Sequence, residues 1–416
     1  MSVEIITIGN ELLSGSTIDT NAPFIAARVI ETGLSVSRMS SVSDAEEDII
    51  AALKNILPET RYIIVTGGLG PTDDDRTAEA AARAFGRTIE LNQEALAAIE
   101  QRFAGYAAKM PFPSQRQAML PAGVKIIPNQ RGTASGFLIA DAGREFMFMP
   151  GVPAEAEAMT ESFIIPRLKQ KSGFRQVILS KSLRVFGLWE SAVQERLDGR
   201  IQEGPGLSLA YLPQFPEVRL KITGRGEDAE AVRQEIARAA AVIEEKLGEY
   251  IYSVNDEPLE LVTGQVLKEK RATVAIAESC TGGLISHRLT NISGSSDYLL
   301  MGVVVYSNRA KVELLKIPEK VLQEHGAVSE PCARLMAQNV RELAGATYGL
   351  AVTGIAGPAG GSAEKPVGTV FIGIASAAGG TTSRHRCYGN REQIKLMSSH
   401  LALNSLRTFI KNDGTI

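Results

Sequence analysis

Histidine, cysteine and tryptophan are scarce in this chain: four, three and one among 416 residues. Cys280, Cys332 and Cys387 lie far apart, so neither a CxxC metal site nor a disulfide framework is expected. A reducing cytoplasm is the expected compartment. His287, His325, His385 and His400 all fall after residue 286. Chemistry in the first two-thirds is therefore left to carboxylates, backbone amides, lysine, arginine or a hard metal ion. No apolar run approaches the roughly 20 residues of a membrane span. The opening Met1-Ser-Val-Glu-Ile-Ile-Thr-Ile-Gly9 lacks a basic n-region and a small-residue cleavage pattern, and reads as a strand rather than a signal peptide. There is no basic excess either: 44 Lys+Arg against 47 Asp+Glu give a net charge of -3, and aromatics are only 6%. Nucleic acid is not an expected partner on that balance, whereas small anionic substrates remain compatible with it.

What is present is an ordinary globular composition, 44% hydrophobic and 22% charged, in a chain too long for one core. Apolar strands alternate with amphipathic helices from the start, which implies a doubly wound, mostly parallel sheet. Strands are expected at 3–8, 35–41, 62–66, 124–127, 134–139 and 145–149. Helices are expected at 21–31 (capped by Asp19 or Thr20), from Asp44 to 57, from about Asp75, and to about 168. This first α/β domain covers 1–170. A βαββα run follows, with strands at 175–185, 207–212 and 218–224 and helices at 188–197 and 228–247. It makes a small α+β middle domain, 171–255. Pro258 opens the helix that begins a second α/β domain, 256–416. Its strands are expected at 273–277, 298–305, 348–353 and 367–375, and its last helix runs from Asn390 to about 409.

Two clusters carry chemistry. In the first, Thr66-Gly-Gly-Leu-Gly-Pro-Thr-Asp-Asp-Asp-Arg-Thr77 follows a strand and opens a helix. Its glycines suit close approach of a phosphate, aided by the helix N-terminus. One aspartate, Asp75, suffices as a cap; Asp73 and Asp74 beside a phosphate cradle suit a magnesium-bridged pyrophosphate. The bland alternative is a solvated turn. Loops expected to converge on the same crevice are Ile8-Gly-Asn-Glu-Leu-Leu-Ser-Gly15, with Glu11 near Asp19 and Asn21, Gly132-Thr-Ala-Ser-Gly-Phe137, with Ser135, and Pro150-Gly-Val-Pro153.

In the second cluster, Thr273-Val-Ala-Ile-Ala-Glu-Ser-Cys-Thr-Gly-Gly283 breaks from a buried strand into a glycine-rich helix start. Ser279 reads equally as a cap and as a nucleophile. Cys280 is the rival nucleophile but is expected to point into the sheet. His287 stands about 12 Å along a helix from Ser279, out of direct reach. Lys311, in Tyr306-Ser-Asn-Arg-Ala-Lys311, is the remaining base, or else a solvated helix lysine. At its reference pKa of about 10.4 it needs burial, or a cation such as Arg309 or Arg391, to become one. Tyr306 is placed to relay a proton or orient the lysine. Thr353-Gly-Ile-Ala-Gly-Pro-Ala-Gly-Gly361 suits wrapping a phosphate or ribose with amides, and Arg391 suits meeting a phosphate.

These segments resemble a known family. Asn10-Glu-Leu-Leu-Ser-Gly15, the 67–77 stretch, Gly132-Thr-Ala-Ser-Gly136 and Pro150-Gly-Val-Pro153 are similar to the molybdopterin-binding domain of MogA and MoeA, most closely the version that opens the CinA family. The Ser279, Lys311 and Thr353 segments, Lys365-Pro-Val-Gly-Thr-Val370 and Gly389-Asn-Arg391 resemble the family's nicotinamide-nucleotide amidase domain. Leu183-Arg-Val-Phe-Gly-Leu-Trp-Glu-Ser191 resembles its middle domain, with Trp189 where a small residue is expected. The resemblance implies two hydrolases. The amidase would convert nicotinamide mononucleotide to nicotinate mononucleotide and ammonia without a cofactor. Ser279, Lys311 and Tyr306 would act there, with Thr281, Gly282, Gly283, Thr353, Gly354, Gly357 and Arg391 holding oxyanion and substrate. The N-terminal domain would hydrolyse ADP-ribose to AMP and ribose 5-phosphate with a divalent metal (Mg, Mn or Co). Gly67, Gly68, Gly70, Thr72, Asn21 and Ser135 would bind its phosphates, and Glu11, Asp19, Asp73 and Asp74 the metal. A homodimer is the implied assembly. Binding or adenylylation of a pterin by the first domain, and a binding module for DNA uptake or repair, are the alternatives.

Overall fold

The computed structural model describes residues 2–105, 112–172 and 177–413. They form two compact units, Met1–Leu179 with Arg225–Arg233, and Ser180–Gly224 with Gln234–Ile416. In the first, a six-stranded sheet runs in the order Ser35–Val42, Ser2–Ile8, Thr60–Thr66, Arg144–Met149, Gly136–Asp141, Lys125–Ile127. The first four strands are parallel; Gly136–Asp141 runs antiparallel to Arg144–Met149, and Lys125–Ile127 antiparallel to Gly136–Asp141. Alternate residues serve opposite faces. Ile63 and Val65 pack with Ile6, Phe137 and Phe148, while Tyr62 and Ile64 pack with Val3, Ile5 and Met147. Both faces are thus covered, which is why the central strand reads as an unbroken apolar run.

The mostly parallel first sheet is as expected, with differences at its ends. The helix after the Asp triplet starts at Thr77 rather than near Asp75. Asp44 does not cap the next helix, Glu46–Lys54; its carboxylate takes the Asn10 amide at 2.8 Å. Asp19 does serve the helix Asn21–Ile30, accepting the Ala22 amide at 3.0 Å. The helix Gln93–Gly105 and the short pair Ile89–Leu91 with Met119–Pro121 were not anticipated.

The middle sheet runs Leu207–Gln214, Glu217–Gly226, Val177–Phe186, Ile251–Ser253. Arg175, the expected first residue of one strand, lies outside the described residues. The five-stranded sheet of the second unit runs Leu299–Val304, Val274–Glu278, Tyr348–Gly354, Thr369–Ser376, Gly379–Arg386, the first three parallel. One face is built of large side chains, Ile276, Leu350, Val352 and Ile372, against the helices Leu259–Glu269 and Arg391–Asn412. The other presents Ala275, Ala277 and Ala351 to the helix Glu330–Ala344. That helix sits so close that a Cβ on Gly349 would stand 1.9 Å from the Ala337 carbonyl. It was not among the expected helices, although its ends carry a Ser329 cap and a left-handed Gly345.

A buried polar knot ties this unit's middle sheet to its last helix. Glu217 accepts from Arg184 at 2.8 Å and from the Tyr252 hydroxyl, with His400 Nε2 3.6 Å away. Desolvation pushes the Glu217 carboxyl up, but bonds from His400 and Tyr252 outweigh it and hold it below the usual range. No helix among the described residues is long and apolar enough to cross a membrane. Phe148, fully buried, stacks on Phe137 at 4.4 Å between ring centroids. Phe148→Ala should cost about 3–5 kcal/mol, read as a lower urea midpoint; an unchanged midpoint would contradict this packing.

Candidate functional site

Ser279 follows the last residue of the strand Val274–Glu278, and its amide donates to the Val352 carbonyl at 3.0 Å. The next parallel strand is pinned alongside, Val305 donating to the Glu278 carbonyl at 2.8 Å. The chain then turns at Tyr306 and Ser307, and the Ser307 hydroxyl caps the helix Asn308–Leu315. That geometry delivers Lys311 to the serine. Its Nζ lies 3.0 Å from Ser279 Oγ, 2.7 Å from the Val305 carbonyl and 3.2 Å from the Tyr306 carbonyl. The two carbonyls can only accept. A neutral amine therefore spends its two N–H groups on them and turns its lone pair to the serine hydroxyl.

Lys311 is 1% exposed and Ser279 8%, so the pair is removed from bulk water. Burial pushes the Lys311 ammonium below the ordinary lysine range, against an opposing influence from the Cys332 and Cys280 thiols. Arg309, one of the cations expected to help, is 82% exposed and paired with Glu313. Burial alone accounts for the shift. The rival nucleophile is disqualified by the same physics: Cys280 points into the core and its thiol is pushed up to about 12 by desolvation. His287 is an exposed helix residue whose Nε2 meets Asn291 at 3.2 Å.

The turn after Ser279 differs from expectation. Glu278, fully buried, accepts the amides of Gly283 (3.0 Å), Ile285 (3.1 Å) and Ser286 (2.8 Å) and the Ser286 hydroxyl (2.8 Å). The N-terminal amides of the helix Leu284–Thr290 therefore face a carboxylate of the chain itself. Gly282 donates to the Ser279 carbonyl at 3.2 Å. The expected oxyanion donors Gly282 and Gly283 are thus committed. Among the described residues, the amides of Cys280 and Thr281 find no oxygen acceptor, and the buried Thr281 hydroxyl is also unpartnered. In the sequence Glu278 is signalled only as an acid closing an otherwise apolar strand.

Tyr306 orients the lysine through its carbonyl. Its ring is 61% exposed, and its hydroxyl accepts from Arg391 at 3.2 Å, away from any relay to Lys311. Arg391 also donates to the Gly357 carbonyl at 2.6 Å, which brings the 353–361 loop to the site. Thr353 spends its hydroxyl on the Ala327 carbonyl at 2.8 Å, and a Cβ on Gly354 would meet the Thr369 carbonyl at 2.8 Å. Trp189 is 69% exposed and rims a cavity of about 330 Å³ with Phe186, Phe215 and Met397.

In the first unit the strand ends do meet. Asn21 donates to the Gly151 carbonyl at 2.8 Å and Thr66 Oγ1 at 3.3 Å, and Thr66 donates to the Pro150 carbonyl at 2.7 Å. The glycines are filled by the protein itself. A Cβ on Gly67 would stand 2.2 Å from the Ile8 carbonyl, on Gly68 2.3 Å from the Thr77 hydroxyl, and on Gly70 2.4 Å from the Asp75 carboxylate. The Thr72 amide and hydroxyl both go to Asp75, at 2.9 and 2.6 Å. Ser135 lies in a different cavity of about 630 Å³, lined by Gln101, Asn129 and Gly132 and by none of the 67–75 turn.

The four proposed metal ligands are not assembled. Asp19 caps a helix, Glu11 folds back on Gly9, and Asp73 pairs with Arg116 at 2.7 Å. Asp74 is exposed, its carboxyl held below the usual range by Thr72. Among the described residues no group of three His, Cys, Asp or Glu side chains is placed to hold an ion. The donor set does not fit a protein-only cage.

The chain is 42% identical over 412 residues to a CinA-like protein of Geobacter sp. (strain M21), covering 99% of this chain and 98% of that one. It belongs to the CinA family. The CinA-like protein of Geobacter sulfurreducens is likewise 42% identical, over 407 residues and 98% of each chain. Residues 256–410 match the CinA C-terminal domain, 4–170 the family described as probable molybdopterin binding domain, and 180–253 the damage-inducible protein CinA KH domain. Among solved structures, competence/damage inducible protein CihA from Agrobacterium tumefaciens is 40% identical, covering 36% of this chain and 92% of that one, with a TM-score of 0.35. Both halves of this CinA-family chain thus carry the segments that suggested the resemblance.

Removing the Glu278 carboxylate would strand three amides, that of Ile285 buried and those of Gly283 and Ser286 half-buried. Glu278→Ala should cost at least about 2 kcal/mol, and Glu278→Gln, which keeps one acceptor oxygen, should cost less. Equal midpoints for Glu278→Ala and the unmodified protein in urea unfolding would remove Glu278 from this role.

Proposed function

We propose that the C-terminal half is a serine–lysine amidase acting on nicotinamide mononucleotide, yielding nicotinate mononucleotide and ammonia. The 3.0 Å contact between a buried lysine and a serine at a strand's end carries this reading. Neutral Lys311 takes the proton of Ser279 as Oγ adds to the carboxamide carbon. The oxyanion faces the amides of Cys280 and Thr281. The Lys311 ammonium then protonates the departing nitrogen, the C–N bond breaks, and ammonia leaves an acyl ester on Ser279. Water, deprotonated by Lys311, opens the ester and restores the serine. No cofactor enters this sequence.

For the N-terminal half we infer hydrolysis of ADP-ribose to AMP and ribose 5-phosphate, supported by the family resemblance and by the ionised, exposed Asp74 beside the 67–72 turn. Since the carboxylates form no cage, a divalent ion belongs with the substrate's pyrophosphate, as hard cations shared between phosphates and one or two carboxylates do. A reducing cytoplasm suits three buried free cysteines, and a homodimer is part of the reading. Nucleic-acid binding is not favoured. Residues 180–253 contain no Gly-x-x-Gly clamp of the kind that lets such modules hold a nucleic-acid backbone.

Ser279→Ala should abolish ammonia release from nicotinamide mononucleotide, and Lys311→Met should lower kcat at least about 100-fold. Retained activity in Ser279→Ala would sink the mechanism. The base works deprotonated, so kcat/KM should rise with pH and level off below the ordinary lysine value of about 10.4. A flat profile in which chemistry limits the rate would contradict this. In the first unit, AMP release from ADP-ribose should need a divalent ion and fall in Asp74→Asn. Release unaffected by EDTA would count against the assignment, and molybdopterin binding without AMP release would favour the pterin alternative.

A further inference from the structure

We propose that Lys395 anchors the phosphate of a nucleoside monophosphate substrate at the Ser279–Lys311 site, a role that rests on the amidase reading above. Lys395 lies one turn beyond Arg391 on the helix Arg391–Asn412, so the two cations share a face. A methyl group built on Gly282 would stand 3.8 Å from Lys395 Nζ. Gly282 is exposed, and its amide donates to the Ser279 carbonyl, so the ammonium rests against the turn that carries the nucleophile. Arg391 reaches the opposite loop, at the Tyr306 hydroxyl and the Gly357 carbonyl. One cation therefore borders the serine's turn and the other the lysine's loop.

Neither cation is neutralised. Among the described residues Lys395 has no hydrogen-bond acceptor, and no carboxylate pairs with either side chain. The acid of the same turn, Glu278, is buried and saturated by four donors. Two unpaired cations a turn apart repel each other, and a phosphomonoester dianion between them relieves that repulsion. Lysine acts here as a point charge, whereas Arg391, with two of its N–H groups already placed, contributes the rest of its fork. A mononucleotide amide carries the reacting carboxamide at one end and the phosphate at the other. Lys395 accordingly acts on binding, away from the bond being broken.

The test uses the full-length protein and ammonia release from nicotinamide mononucleotide. Lys395→Met should raise KM about tenfold or more, the loss of one charge-assisted bond, with kcat within about twofold. Inorganic phosphate should compete with the nucleotide in the unmodified protein and lose most of that inhibition in the variant, and Lys395→Arg should restore both. An unchanged KM and unchanged phosphate inhibition in Lys395→Met would overturn the proposal. Retained kcat itself reports a folded site; if Lys395→Met loses it, Lys395→Gln carries the comparison. Ser279→Ala separates the two readings. If it still releases ammonia, the amidase assignment fails; if it is silent while Lys395→Met keeps its KM, only the phosphate anchor fails.

Discussion

A lysine held out of water in the first turn of the helix that follows a parallel strand is the constraint on which the C-terminal half depends. An ammonium in that position loses its hydration, and two backbone carbonyls and one hydroxyl are what replace it. Burial shifts the balance toward the neutral amine, and in that form the carbonyls leave one direction for its lone pair. On the proposed amidase reading, burial tunes the base and aims it in the same stroke. The sheet supplies the precision, because the Val305–Glu278 and Ser279–Val352 bonds lock three neighbouring strands where serine and lysine emerge.

Glu278 solves a related problem in the same few residues. A helix beginning a few residues after Ser279 leaves several amides without acceptors. A single buried carboxylate takes three of them and a hydroxyl, which holds the turn rigid and keeps the helix start from serving as an anion site. The positive field of the site then comes from Arg391 and Lys395 on another helix. On the proposed reading, charge recognition and nucleophile positioning are thereby divided between different elements.

The first unit distributes its polar groups differently. Its glycine-rich turn is packed against the strand end at Ile8 and the helix residue Thr77, and its aspartates are divided among an arginine, a threonine turn and solvent. Such a turn presents a shape and some carboxylate oxygen atoms; on the proposed reading, the substrate would bring the charge that binds them together.

The sequence by itself determined the alternation of strand and helix, the parallel sheets and the placement of Ser279, Lys311 and Arg391 at strand and helix ends. Those follow from local patterns of two and 3.6 residues and from strand-end glycines. It did not reveal the helix Glu330–Ala344 against its alanine face, Glu278 as the sink for helix amides, or Cys280 and Thr281 as the amides left open. Nor did it show that Asp19, Asp73 and Asp74 part company. Burial and hydrogen-bond partners belong to the assembled chain: whether an ionisable side chain becomes a base, a cap or an ion-pair partner depends on neighbours brought from tens of residues away. The identity of the serine and the lysine was written in the chain, and their 3.0 Å contact in a dry site was decided only by the register of the sheet.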